Sequence, residues 1–217
     1  MTTSIDHSAN DMTVIIDTGV CNLTSVYNAM KRLTKHVAIS SDSDVIQQAA
    51  RVILPGVGSA HSGMASLSKK QLANLIPTLK QPVLGICLGM QLLTNESEES
   101  TSTDTINCLG CIPTTVNSFI QTRLPLPHMG WNKFNPTCLH PIFKNLTDGE
   151  YVYFVHGFNV PISEYTIANC DYGETFSAAI VNKNFIGLQF HPEKSGAIGS
   201  QILANFLEMK EEDEMAS

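Results

Sequence analysis

The sequence predicts a single α/β domain of three layers, with a mixed and mostly parallel sheet between two layers of helices. Three observations predict it. Short, wholly apolar runs alternate with helically spaced apolar residues through the first half, as expected of strands buried on both faces. Aromatic and β-branched runs set off by Gly, Pro and Asn fill the second half and imply antiparallel additions. The 217 residues are enough for one full core.

The elements follow in order. Val14-Ile15-Ile16 reads as a first strand, and Leu23, Val26, Tyr27 and Met30 mark one face of a first helix. Val37-Ala38-Ile39 is a second strand. Asp42 or Ser43 caps a short helix through Val45 and Ile46. Val52–Leu54 and Pro82–Ile86 are the third and fourth strands. Thr94 to Thr105 is rich in Ser, Thr and acids and reads as an exposed loop. Tyr151–Val155 is an aromatic strand, and Asn182-Lys183-Asn184 turns a hairpin between Ala178–Val181 and Phe185–Phe190. Ile198, Ile202, Phe206 and Met209 give the last helix its apolar face. The domain is expected to run over 12-209, with a flexible polar extension over 1-11 and a charged tail over 210-217. Its site is expected at the carboxyl ends of the parallel strands.

Composition excludes some classes. The formal net charge of -7 argues against nucleic acid as a main partner. No apolar stretch approaches the ~20 residues that span a bilayer. The polar, acid-containing start lacks the pattern of a signal peptide, so a cytoplasmic location is expected. Six cysteines in that setting imply free thiols. Cys108-Leu109-Gly110-Cys111 is a lone C-x-x-C followed by turn residues, with Cys138 and His140 at poor spacing for a partner pair. No metal site and no cofactor are therefore expected.

Two motifs carry chemistry. In Gly85-Ile86-Cys87-Leu88-Gly89 a strand ends at a cysteine and a helix starts at once, as in the cysteine form of a nucleophile elbow. Small neighbours permit the sharp turn, and a helix N-terminus favours an anion there. Taken alone, Cys87 reads equally well as a buried core cysteine. Downstream, the strand before His191-Pro192-Glu193 ends in a base with a carboxylate two residues on. His191 suits the role of base to Cys87, and Glu193 that of its orienting acid. Of the seven histidines, only His191 has this pairing; His128 and His156 read as structural or interfacial.

Gly85 to Gln91 and Gln189 to Glu193 resemble the motifs of class I, triad-type glutamine amidotransferases, and Leu54-Pro55-Gly56-Val57-Gly58 agrees with them. Asp17 to Leu23 and Pro127-His128-Met129-Gly130-Trp131-Asn132 narrow the likeness to glutaminase subunits of imidazole glycerol phosphate synthases. The resemblance covers about Thr13 to Met209. It implies a flavodoxin-like fold and hydrolysis of glutamine through a cysteinyl thioester. It implies an oxyanion hole from the amide of Leu88 and the Val57–Gly58 loop, and substrate contacts from Gly58, Gln91 and Glu99. By their residue types alone, Gln91 reads as an ordinary helix position and Glu99 as a loop charge. The family usually carries Ser or Thr and then Tyr where Gly157 and Phe158 stand, so a hydroxyl contact is lost or replaced by backbone. The resemblance further implies docking of Asn22, Met129, Trp131 and Lys194 on a (β/α)8-barrel cyclase in a heterodimer. There the ammonia would build imidazole glycerol phosphate and aminoimidazole-carboxamide ribonucleotide, for histidine synthesis. The alternatives are a paralogue feeding another acceptor, a γ-glutamyl hydrolase, and a non-catalytic interaction protein; Trp131 is otherwise a core residue.

Overall fold

The computed structural model describes residues 11–19, 23–99, 105–120, 123–147 and 149–210. Its first half is built of β1 (Thr13–Ile16), α1 (Leu23–Leu33), β2 (Val37–Ser40), α2 (Ser43–Gln47), β3 (Arg51–Gly56), α3 (Ala60–Lys69), β4 (Val83–Cys87) and α4 (Leu88–Leu92). Short strands follow: β5 (Glu96–Ser97), β6 (Ile106–Asn107), β7 (Thr115–Ser118), β8 (His128–Lys133) and β9 (Asn135–Pro136). Then come β10 (Tyr151–His156), β11 (Phe158–Asn159), β12 (Thr166–Asp171), β13 (Thr175–Asn182), β14 (Phe185–Leu188) and α5 (Gly196–Glu208).

The main sheet has eight strands in the order β2-β1-β3-β4-β14-β13-β12-β9. The first five are parallel, and β13, β12 and β9 add antiparallel at the far edge. Side-chain alternation sorts the parallel strands onto two cores. Ile15, Ile53, Leu84 and Ile186 pack with Met30 of α1 and Phe206 of α5. Val14, Val52, Leu54 and Val83 pack on the opposite face with Ile46, Leu67 and Leu92. This explains why the strands read as unbroken apolar runs: both faces are covered.

Two local expectations need correction, and one helix carried no expectation. The helix α3 was not foreseen. Its buried face is Ala60, Gly63 and Leu67, correctly spaced but made mostly of residues too small to give an apolar signal. Ser59 caps it by accepting from the Ser62 amide. The stretch from Thr94 is not wholly an exposed loop, because Thr94 and Ser97 are fully buried and Glu96–Ser97 is a strand. Burial there is tolerated because the Thr94 hydroxyl donates to the Gln91 carbonyl at 2.8 Å; residues 100–104 lie outside the described ones. The hairpin strand stops at Leu188 rather than Phe190. Its turn is as expected, with Lys183 at φ 53. The expected extension and tail lie outside the described residues, save Asp11, which accepts from Arg51 at 2.7 Å, and Lys210.

Candidate active site

The carboxyl ends of β3, β4 and β14 meet at one place, in register: Gly56 opposes Cys87, and Leu188 opposes Ile86. Cys87 takes φ 52 and ψ -110, a conformation L side chains rarely adopt, as it turns from β4 into α4. The flanking glycines make that turn possible. A Cβ on Gly89 would lie 1.8 Å from the Leu54 carbonyl oxygen, and one on Gly85 would lie 2.7 Å from the Gly89 backbone. The helix therefore sits directly on the strands and carries its unbonded first-turn amides, Leu88 among them, to the cysteine.

His191 stands where the chain leaves β14. Its amide donates to the Tyr153 carbonyl at 2.9 Å. Ser195 locks the turn: its hydroxyl donates to the His191 carbonyl at 2.7 Å and accepts from the Tyr153 amide at 3.0 Å. The ring Nδ1 bonds Glu193 Oε1 at 2.8 Å, and both side chains are almost wholly buried. Nε2 is buried without a partner of regular hydrogen-bond geometry, which leaves it for a reacting group. Burial pushes the imidazole down, but attraction to Cys87 and Glu193 outweighs it and raises His191 from 6.5 to about 10. At neutral pH the ring is thus an imidazolium beside the cysteine.

These residues surround a cavity of about 200 Å3 lined by Val57, Gly58, Cys87, Leu88, Gln91, Glu99, Val155, His156, Gly157, Phe158 and His191. Every residue expected for chemistry or substrate lines it except Glu193, which stands behind His191. Gly58 has φ 99, a value that suits glycine. Gln91 donates from Nε2 to the Phe158 carbonyl at 3.2 Å and to Gln189 Oε1 at 2.9 Å, so only its own Oε1 remains to accept from a ligand. Glu99 is no free loop charge: Oε2 accepts from the Ala60 amide at 2.7 Å, at the first turn of α3. Burial raises its pKa above the usual value, and the Ala60 bond partly offsets that. At Gly157 an added Cβ would meet nothing within 4 Å, so crowding does not explain the glycine.

Two residues were not singled out from the sequence. Gln189 donates to Cys87 Sγ at 3.8 Å; the signal available was its place two positions before His191 on an extended run. Ser195 carries no sequence signal, since a serine after a turn is ordinary. Cys108 and Cys111 are free thiols, and burial pushes them up to about 11 and about 12. Burial thus disfavours the thiolate that metal binding and redox exchange use.

One face beside the cavity is exposed and apolar. Met129 and Trp131 project from β8 with 66% and 56% of their surface open, so Trp131 is not a core residue. They pair across the ladder with Val155 and Tyr153 of β10. The Trp131 ring meets Tyr153 edge-on at 6.2 Å, and the Lys194 ammonium sits 5.6 Å over the same tyrosine ring. Asn22 lies outside the described residues.

Residues 14–209 match the family model described as "Glutamine amidotransferase class-I". "Imidazole glycerol phosphate synthase subunit HisH" of Shewanella sediminis (strain HAW-EB3) is 55% identical, over 93% of this chain and 92% of its own. The protein of that name from Escherichia coli (strain K12) is 48% identical, over 90% and 98%. Among solved structures, "Structure of PurLQS from Thermotoga maritima" superposes with a TM-score of 0.70 at 19% identity, covering 90% of this chain and 97% of that one. Another, "Crystal structure of glutamine amidotransferase", gives 0.67 at 15%, over 90% and 97%. At such identity these two speak for the fold alone.

Proposed function

Since the chain belongs to the class I glutamine amidotransferases, we propose that Cys87, His191 and Glu193 are its triad and that the cavity they border receives glutamine. The chain is the glutaminase subunit of an imidazole glycerol phosphate synthase and serves histidine biosynthesis. One observation carries the assignment of residues: the elbow cysteine and the buried His191–Glu193 pair border one cavity with Gln91 and Glu99.

The mechanism follows from the charges. An imidazolium at His191 favours the ionised sulfur, and the thiolate is the nucleophile. Cys87 attacks the side-chain carbonyl carbon, and the developing oxyanion is held by the amides of Leu88 and of the Val57–Gly58 loop. One such donor is worth about 3 kcal/mol. As the tetrahedral species collapses, the C–N bond breaks and His191 hands its proton to the departing ammonia. His191, now neutral, takes a proton from water, which attacks the thioester. Glu193 keeps Nδ1 protonated, so Nε2 is always the atom that exchanges the proton. The carboxylate of Glu99 suits the substrate ammonium, and Oε1 of Gln91 suits a substrate donor.

As part of a synthase the chain works with a cyclase partner. We infer that the partner is a (β/α)8 barrel, that the pair is a heterodimer, and that Met129, Trp131 and Lys194 dock on it. An exposed aromatic and a methionine rimmed by a lysine have the make-up of a hot spot. Val155 joins this face to the cavity, since it pairs with Met129 and lines the pocket. Ammonia released at Cys87 would then emerge beneath the partner. Among the described residues no helix is long and apolar enough to cross a membrane; from the likeness to histidine-biosynthetic subunits we infer work in the cytoplasm.

The test is glutamate release from glutamine by the chain alone and with the barrel cyclase and its nucleotide ligand. Large stimulation by both together is the expected outcome. Equal rates with and without the partner would point to a stand-alone hydrolase. Trp131→Ala should weaken the complex at least about tenfold in Kd, the usual loss for an aromatic anchor; an unchanged Kd would remove this face from the interface.

A further inference from the structure

Gln189 is fully buried, and each end of its amide has one partner. Oε1 accepts from Gln91 Nε2 at 2.9 Å. Gln91 cannot be turned round, because the same nitrogen also meets the Phe158 carbonyl at 3.2 Å, and a carbonyl only accepts. The orientation of Gln189 is thereby settled: its Nε2 is the end that faces the sulfur, 3.8 Å from Cys87 Sγ. A line of assigned donors runs from the Phe158 carbonyl through two glutamines to the nucleophile.

Another contact of that sulfur has the opposite sense. The Val155 carbonyl lies 3.6 Å from Sγ. It can accept a thiol proton but repels a thiolate, whereas the Gln189 amide can only donate and favours the thiolate. We propose that Gln189 is a catalytic residue of this site: it donates from Nε2 to the ionised Cys87 sulfur and stabilises the thiolate both as attacking group and as leaving group. The inference rests on Cys87 being the nucleophile. A hydrogen bond to an ion is shorter and stronger than one to a neutral thiol, so the contact tightens as the charge forms.

The need for a second donor follows from the cycle. The titratable groups around the sulfur are His191 with Glu193 behind it, His156 of β10, and Glu99 at the cavity wall. After ammonia leaves, His191 is neutral. When water attacks the thioester, the C–S bond breaks, its electron pair returns to sulfur, and the water proton moves to His191. Throughout this step Gln189 offers a proton donor that neither titrates nor leaves. The amide is also shielded from water, where such a bond counts for more.

The experiment is alkylation of Cys87 by iodoacetamide in the full-length chain, followed by mass spectrometry of the peptide that carries it. Rates are taken at about pH 7 and about pH 10, where the thiolate is a minor and a major form of an ordinary thiol. Gln189→Met should slow the reaction about tenfold at the lower pH and less than about twofold at the higher, the loss expected for one hydrogen bond to a charged group. Gln91→Met breaks the bond to Gln189 but leaves its donor, and should keep the ratio of the two rates within about threefold of the parent. An unchanged ratio in Gln189→Met, or an equal fall in both variants, would overturn the proposal, because packing alone would then account for Gln189. Should Gln189→Met not fold, the parent chain decides. The side-chain amide proton resonance of Gln189 should move downfield as Cys87 ionises and stay still in Cys87→Ala; an amide indifferent to that ionisation overturns the proposal. Cys87→Ala also separates the premises: glutamate release surviving in that variant overturns the nucleophile, while its loss together with an unchanged alkylation ratio overturns Gln189 alone.

Discussion

Two groups of buried histidine show how one residue type is driven in opposite directions. His191, His128 and His156 are 2%, 2% and 5% exposed. Next to Cys87 and Glu193, His191 is raised to about 10 despite its burial. Burial alone lowers His128 to about 4, and burial with only a carbonyl and two other histidines nearby takes His156 to about 3. The difference is the neighbours. His128 is sandwiched between Tyr172, 3.9 Å away, and Phe154, 4.8 Å away, both nearly parallel to it. His156 donates from Nδ1 to the Phe158 carbonyl at 2.8 Å, so its Nε2 must accept from His128 Nδ1 at 2.9 Å. The pair is neutral and ties β8 to the cavity wall; His191, with Cys87 and Glu193 beside it, is held cationic. Desolvation is common to both regions, and the Cys87 sulfur together with the Glu193 carboxylate decides the outcome.

The largest effect expected from this contrast is on turnover. His191→Asn should reduce glutamine hydrolysis in the complex by about 10^4-fold or more, the loss typical of a triad base. His128→Asn, equally buried, should cost less than about tenfold. Steady-state glutamate release measures both, and similar losses would erase the distinction. Glu193→Gln comes next. It keeps the shape, removes the charge, and should lower kcat by up to about 10^4-fold through the wrong tautomer. NMR titration should show His191 becoming neutral at much lower pH in that variant. An unmoved titration would mean that Glu193 does not hold the proton.

The pH dependence of stability sharpens the comparison further. His191 has a raised value in the fold, so its contribution is fully present below about 6.5 and is lost as pH rises through about 10. His128 and His156 have lowered values, so theirs is present above about 6.5 and is lost as pH falls towards about 4 and about 3. Urea unfolding across pH should therefore weaken on both sides. Glu193→Gln should flatten the alkaline limb only, and His128→Gln the acid limb only; the reverse pattern would contradict the assignments. The smallest effect is at the cap of α3, where Ser59→Ala should cost about 1 kcal/mol in the same measurement.

How much of this was legible depended on whether the information was local. The strands β1 to β4 were readable because both faces are buried and their runs are apolar. The proposed triad could be nominated from the sequence because an elbow needs small residues around the nucleophile, and because His191 and Glu193 are two positions apart. Helix α3 was not, since Ala60 and Gly63 bury without looking apolar. Thr94 and Ser97 looked exposed because a polar side chain gives no sign that its hydrogen bonds are met inside.

The sequence by itself determined the layered α/β architecture and the family, and it pointed to Cys87, His191 and Glu193 as the proposed nucleophile, base and acid, since apolar runs and short motifs are each written along one stretch of chain. Only the tertiary structure decided which histidine carries charge, that Glu99 is tied to the start of α3, that Trp131 is exposed, and that Gln189 meets the sulfur. Those depend on distances between residues remote in sequence and on how far water is excluded around them, and no local pattern encodes either.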